Sequence, residues 1–166
     1  MNDYRIFELE EKFMDADNMI KNNYIAEAVR LLNEILAEAP DFGKAHNHLG
    51  WIYETKIKDY TKAEEHYKLA LKFTPDYAAA YYNYAILLST LRDYTALENL
   101  LNEAMKVKGI NYATIYNEFA IMFEAQGKYN EAIKNYKLYI QSSYDNKMIE
   151  TAAESVKRCE RKKELL

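Results

Sequence analysis

Hydrophobic residues recur along this chain at intervals of three and four, the spacing that places them on one face of an α-helix. Ala45, Leu49 and Ile52 mark one such helix, and Ala63 and Tyr67 begin the apolar face of the next. A short polar stretch separates the two faces. The pattern therefore predicts a hairpin of two amphipathic helices.

This helical pair is repeated along the chain with a period of 34 or 35 residues. Small residues, larger apolar residues, tyrosines and helix breakers all follow the same period, and such agreement between separate columns is typical of a repeat protein. The columns are Ala16, Gly50, Ala85 and Ala120; Ala28, Ala63, Leu97 and Ala132; Leu36, Leu71, Met105 and Ile140; Tyr60, Tyr94 and Tyr129; and Pro40, Pro75 and Gly109.

The period predicts an all-α fold of about four helix-turn-helix repeats and a C-terminal capping helix. The cap follows Tyr144, where Asp145 can cap a helix and a narrow apolar stripe ends at Cys159. The register of the first repeat stays open by one position at Ala16. Within a single domain over residues 1–166, the predicted bounds are about 5–40, 43–75, 78–109 and 113–144 for the repeats and 146–165 for the cap.

Composition narrows the classes of function. Four glycines and two prolines are few for a sheet protein and favour helices. The net charge of −4 gives no electrostatic attraction to nucleic acid or anionic lipid. One cysteine excludes an internal disulfide, no apolar run reaches the roughly 18 residues of a membrane span, and the start lacks the features of a secretory leader. We therefore expect a cytoplasmic protein that binds neither nucleic acid nor membrane.

The repeat resembles the tetratricopeptide repeat family. In that family the first helix carries a small residue and then an aromatic residue, and the second helix carries small and aromatic residues before a proline. The resemblance covers roughly residues 9–143 and is closest in one stretch, with one extra residue between its first two small residues: Leu49, Gly50, Tyr53, Tyr60, Ala63, Tyr67, Ala70 and Pro75. It implies a right-handed α-α superhelix and a role in protein interaction.

The resemblance also implies that the first helices of successive repeats line a concave groove. The residues expected to face that groove come from three such helices. They are Lys44, Asn47, Trp51 and Glu54; Ala79, Tyr82, Asn83, Ile86 and Ser89; and Thr114, Asn117, Ile121 and Glu124.

Trp51, Ile86 and Ile121 occupy the same position in their repeats and predict an apolar strip across the groove. Nearby amides such as Asn47 and Asn83 can pair with a peptide backbone. The alternative is that these apolar residues only pack between neighbouring helices. The groove carries too few lysines and arginines to clamp a terminal carboxylate, so an apolar or helical peptide is the expected ligand.

No arrangement of residues predicts catalysis. His46 and His48 are two apart on a helix and point to different faces, while His66 belongs to another helix. His46 is interpreted as a packed core histidine and Cys159 as a buried small hydrophobe. We expect no enzymatic activity, no cofactor and no metal.

Two functions remain open. The first is a non-enzymatic adaptor or scaffold that binds another protein or peptide in the groove. The second is a self-associating structural protein whose groove is filled by its own chain or by a second copy, giving a homo-oligomer. Charge asymmetry makes the second conceivable, because residues 1–40 carry nine acids and four bases, whereas residues 146–166 carry six bases and four acids.

Overall fold

Helices joined by short turns make up the computed structural model, which describes residues 3–165. Residues 1, 2 and 166, included in the predicted domain, lie outside the described residues. A π-helical turn, Tyr53–Ile57, directly continues the third helix. The helices of the described range are α1 Asp3–Lys21, α2 Ile25–Glu38, α3 Gly43–Ile52, α4 Tyr60–Phe73, α5 Ala78–Leu91, α6 Tyr94–Ala104, α7 Tyr112–Ala125, α8 Tyr129–Ser142 and α9 Asn146–Glu164.

The chain divides into two compact units, Met1–Leu87 and Leu88–Leu166, with the boundary inside α5. In the first unit α1 packs on α2, α2 on α3, and α3 on α4. In the second unit α6 packs on α7, α7 on α8, and α8 on α9. The order of four helix pairs and a last helix agrees with the predicted repeats, while the single domain over 1–166 stays a prediction.

The core of the first unit is built from the small and branched residues that define the repeat. Ala16 and Ala28 are fully buried in one cluster with Ile35, Leu49 and Ile52. Full burial of a leucine or isoleucine side chain contributes about 1.5–3 kcal/mol. The burial of Ala16 also settles the register of the first repeat, which the sequence had left open by one position.

Close approach of α3 and α4 depends on Gly50. A Cβ atom placed on Gly50 would lie 2.7 Å from two ring carbons of Tyr67, so the tyrosine ring rests directly on the α3 backbone. The three atoms nearest to that position all belong to Tyr67, which lies one turn further along α4 than the small residue Ala63. The small residue therefore makes room for an aromatic ring.

The π-helical turn Tyr53–Ile57 explains the extra residue in the second repeat. Gly50 and Ala63 are 13 positions apart, whereas the equivalent residues of the other three repeats are 12 apart. A π-helical turn accommodates one inserted residue within a helix. The insertion is thus absorbed at the end of the helix, and Ala63 still reaches the core.

The turn inside each helical pair uses one residue in the left-handed conformation. Asp59 and Asp93 then cap the following helices, accepting hydrogen bonds from the backbone N–H groups of Lys62 at 3.1 Å and Ala96 at 3.0 Å. The left-handed residues recur with the repeat period. They are Asn23 with a φ of 61°, Lys58 with 65°, Arg92 with 58° and Gly127 with 73°.

The last helix, α9, begins where the sequence predicts. Asp145 accepts a hydrogen bond from the backbone N–H of Met148 at 3.0 Å and caps the helix. Ala152, Val156 and Cys159 are buried in one cluster with residues of α7 and α8. The predicted capping helix is therefore present, and its apolar stripe covers the last helical pair.

Candidate functional site

A solvent-open cavity of about 260 Å³ lies in the first unit. Its walls come from α1, from α3, and from the start of α5 with the residue just before it. Four of its residues are among those expected to face the groove. The lining residues are Asp17, Ile20, Asn47, His48, Trp51, Tyr77, Ala79 and Asn83.

Two amides join the walls of this cavity. The Nδ2 group of Asn83 donates a hydrogen bond to Oδ1 of Asn47 at 3.0 Å, which links α5 to α3. An asparagine amide has two donor hydrogens and an acceptor oxygen, so this single bond leaves further capacity on both side chains. The pair can therefore hold its own geometry and still hydrogen-bond a ligand.

Asp17 brings a negative charge to the same cavity. Its carboxylate lies 2.6 Å from Nζ of Lys21 and 3.1 Å from Nε2 of His48. The hydrogen bond from Lys21 is the main cause that lowers the pKa of Asp17, so this carboxyl is ionised at neutral pH. Burial lowers the pKa of His48, which is therefore neutral there.

Trp51 supplies the aromatic wall of the cavity. Its indole is half-buried, and Nζ of Lys56 lies 5.5 Å from the ring centroid. The distance is within the range of a cation–π interaction. Trp51 therefore offers both an apolar surface and an attraction for positive charge.

Two other predicted groove residues have internal partners in the first unit. The ammonium of Lys44 lies 2.8 Å and 3.1 Å from the two carboxylate oxygens of Glu10. Glu54 is buried and accepts a hydrogen bond from the hydroxyl of Tyr67 at 2.6 Å. Burial raises the pKa of Glu54. Both side chains are therefore engaged in contacts within the protein.

A second cavity, of about 360 Å³, lies in the second unit. Asn117 and Ile121 of α7, both expected in the groove, form part of its wall. The other wall comes from α8 and α9, so the capping helix contributes to this cavity. Those residues are Tyr136, Tyr139, Met148, Thr151, Ala152, Ser155 and Arg158.

Glu124, also expected in the groove, is held by α8 and α9. It accepts a hydrogen bond from the hydroxyl of Tyr136 at 2.9 Å, two from the guanidinium of Arg158, both at 2.7 Å, and one from Lys162 at 2.9 Å. The Arg158 bonds are the main cause that lowers the pKa of Glu124 to about 2. Glu124 therefore fastens the capping helix to the last repeat.

The remaining predicted residues differ in exposure. Ile86 and Ile121 are 52% and 40% exposed, which is high for isoleucine, whereas Trp51 is half-buried. That these three side chains form one apolar strip stays a prediction. The other groove residues, Tyr82, Ser89 and Thr114, are half-buried.

A histidine contact was missed by the sequence interpretation. His46 is buried, as expected, but its Nδ1 lies 3.0 Å from Nδ1 of His66 on α4. Nε2 of His46 lies 3.0 Å from the carbonyl oxygen of Pro40, and a carbonyl only accepts hydrogen bonds. His46 therefore carries its proton on Nε2, and Nδ1 of His66 donates to Nδ1 of His46.

The described residues contain neither a metal-binding cluster nor a membrane-spanning helix. Among residues 3–165, no group of three or more histidine, cysteine, aspartate or glutamate side chains is arranged to hold a metal ion. Over the same range, no helix combines the length and the apolar character required to cross a bilayer.

Solved structures share this fold. They include pilF of Pseudomonas aeruginosa, with a TM-score of 0.83, 16% identity, and coverage of 96% of this chain and 71% of that one. YrrB, described as a tetratricopeptide repeat protein with an unusual peptide-binding site, has a TM-score of 0.75, 16% identity, and coverage of 92% and 76%. TTC0263, a tetratricopeptide repeat protein of Thermus thermophilus, has a TM-score of 0.70, 16% identity, and coverage of 89% and 81%. The predicted class, an all-α helical-repeat superhelix, is thereby confirmed.

One repeat of the sequence also matches a family model. Residues 43–77, which run from the start of α3 to the loop before α5, match the tetratricopeptide repeat family model. No curated protein sequence matches the chain. The resemblance to the tetratricopeptide repeat family is confirmed over this one repeat, and the similar solved structures confirm the fold.

Proposed function

We propose that this chain is a non-enzymatic adaptor that binds an apolar or helical peptide segment of another protein in the groove of its first unit. One observation carries the proposal. The cavity of that unit is lined by Asn47, Trp51, Ala79 and Asn83, which are four of the residues expected there from the sequence.

The chemistry of this cavity suits a peptide. Amides such as Asn47 and Asn83 can bond to the peptide backbone, while Trp51 and Ile20 offer apolar surface to its side chains. Ala79 has a small side chain, which leaves space between α3 and α5. The peptide-binding site described for YrrB, a protein of the same fold, supports the proposal by analogy.

The absence of enzymatic activity is part of the proposal. Shifted pKa values often mark catalytic residues, but those of Glu54 and Glu124 belong to side chains held in packing contacts. Glu54 is buried against Tyr67, and Glu124 is held by Arg158. Neither carboxylate is poised to act on a substrate.

A cytoplasmic location likewise stays a prediction.

Affinity purification from the native cell tests the groove. We expect Trp51→Ala to lose partners that the wild type retains, because it removes the largest apolar surface of the cavity. Tyr24→Ala is the matched control, since Tyr24 is an aromatic residue of the same unit, is 59% exposed and does not line the cavity. Circular dichroism must show that both variants are folded. Recovery of the same partners by Trp51→Ala and the wild type would refute the proposal.

Self-association is the second candidate, and the charge asymmetry between the two ends favours it. The structure weakens this argument, because Arg158 and Lys162 are already paired with Glu124 within the chain. Light scattering after size exclusion separates the two candidates. A monomer at low and high salt supports the adaptor, whereas a dimer that dissociates at high salt supports self-association.

A further inference from the structure

The chemistry of the cavity walls in the first unit gives more detail about the ligand. Of the eight residues that line this cavity, Asp17 alone is charged at pH 7, because His48 is neutral. The contact between Asp17 and His48 therefore does not cancel the negative charge. The cavity offers one carboxylate within otherwise uncharged walls.

Asp17 has a charged partner that a ligand can replace. Lys21, whose side chain is 68% exposed, forms an ion pair with Asp17. Exposed ion pairs contribute about 0–1 kcal/mol, so an incoming cation can displace this ammonium at little cost. A cation seated in the cavity would then meet a carboxylate in a less solvated setting.

The aromatic walls also favour a cation. Trp51 and Tyr77 both line the cavity, and the Trp51 ring already has a lysine ammonium within cation–π distance. An ammonium or guanidinium group between a carboxylate and aromatic rings is a recurrent arrangement in binding sites. Carboxylate and indole thus point to the same class of ligand.

The helix that supplies Asp17 extends this charge along its length. Between Arg5 and Lys21, α1 has five acidic and three basic residues. An acidic surface beside a groove attracts a basic segment from a distance and repels an acidic one. The charge of α1 and the carboxylate in the cavity therefore both favour a positively charged ligand.

The cavity has the size of a side-chain site. Its volume of about 260 Å³ is below the range of roughly 300–1,000 Å³ that is usual for small-molecule sites. We infer that this cavity binds a lysine or arginine side chain of the partner peptide, with Asp17 as its ionic partner and Trp51 as its aromatic wall. The inference rests on the proposed peptide-binding function and adds the chemical class of the bound residue.

Selection from a random 12-residue peptide library on the full chain tests this inference. We expect selected peptides to be enriched in lysine and arginine and to change the emission of Trp51, the chain's one tryptophan. The best selected peptide is then titrated against Asp17→Asn, which keeps the shape of the side chain and removes its charge. We expect its Kd to rise about tenfold, as for loss of one charged hydrogen bond.

Asp15→Asn is the matched control. It makes the same change of charge on α1 at an exposed position outside the cavity, so we expect its Kd to stay within about twofold of the wild type. Peptides that change Trp51 emission but show no excess of basic residues, or that bind Asp17→Asn as tightly as the wild type, would overturn the inference and leave the groove intact. If the wild type retains no more peptide than Trp51→Ala, the proposed function itself fails.

Discussion

The contact between Glu124 and the capping helix gives the sharpest test of how α9 is held. The carboxylate is only 11% exposed and accepts hydrogen bonds from Tyr136, Arg158 and Lys162. Glu124→Gln keeps the size of the side chain but replaces one acceptor oxygen with an amide donor that faces other donors. We therefore expect the variant to unfold more easily than the wild type.

The size of this effect follows from the pKa. A carboxyl whose pKa falls from the ordinary 4.5 to about 2 on folding stabilises the folded state by about 3 kcal/mol at neutral pH. The side chains of Arg158 and Lys162 are 50% and 45% exposed, so solvent screens the interaction. We expect a loss of about 1–2 kcal/mol in the free energy of unfolding.

Urea unfolding followed by circular dichroism measures the loss. Glu54→Gln is the control, because Glu54 occupies the same position two repeats earlier and also accepts a hydrogen bond from a tyrosine, Tyr67. Burial raises the pKa of Glu54 where Arg158 lowers that of Glu124. We therefore expect Glu54→Gln to leave stability at pH 7 unchanged or to raise it.

The pH dependence of the stability difference between the wild type and Glu124→Gln can refute this reasoning. Because folding lowers the pKa of Glu124, its contribution is complete above about pH 4.5 and is lost as the pH falls to about 2. The difference between the wild type and Glu124→Gln should shrink over that interval. Equal stability of the two proteins at pH 7, or a difference that persists at pH 2, would show that the carboxylate does not hold α9.

Three further predictions concern the packing. Gly50→Ala should cost about 1–3 kcal/mol in urea unfolding, because its Cβ would press on the ring of Tyr67; an unchanged midpoint would contradict the close contact. Burial lowers the pKa of His66 to about 4. The free energy of unfolding of the wild type should therefore fall as the pH drops from about 6.5 towards 4, and it should fall less in His66→Gln. Parallel pH curves for the two proteins would contradict this. Burial raises the pKa of the Cys159 thiol to about 11. A thiol reagent at pH 8 should therefore modify Cys159 far more slowly in the native protein than in urea. Equal rates would show that the thiol is accessible in the native protein.

The helical pairs were predictable because residues in equivalent positions of successive repeats indicate the same buried position. A column such as Ala28, Ala63, Leu97 and Ala132 marks one buried position, and each member is fully buried. The left-handed turn position was missed because only Gly127 and Asn23 have residue types that commonly adopt this conformation. Lys58 and Arg92 adopt it as well, which their residue types do not reveal.

The site was harder to predict because partners within the chain decide which groove residues remain available. The repeat pattern assigned Asn47, Trp51 and Asn83 to the groove, and all three line the cavity, but it gave no sign that Asp17 of α1 joins them. Glu124 was assigned to the groove by its position in the repeat. Its hydrogen bonds with Arg158 depend on the capping helix α9, which has no counterpart in the repeat pattern.

The π-helical turn at Tyr53–Ile57 has a consequence for the evolution of the chain. A single-residue insertion within a repeat usually turns every later side chain to another face, yet here the following helix keeps its register. Repeat length can therefore drift by one codon at this site without loss of the fold. Conversely, deleting one residue of this turn should restore an ordinary α-helical ending and give a second repeat of the same length as its neighbours.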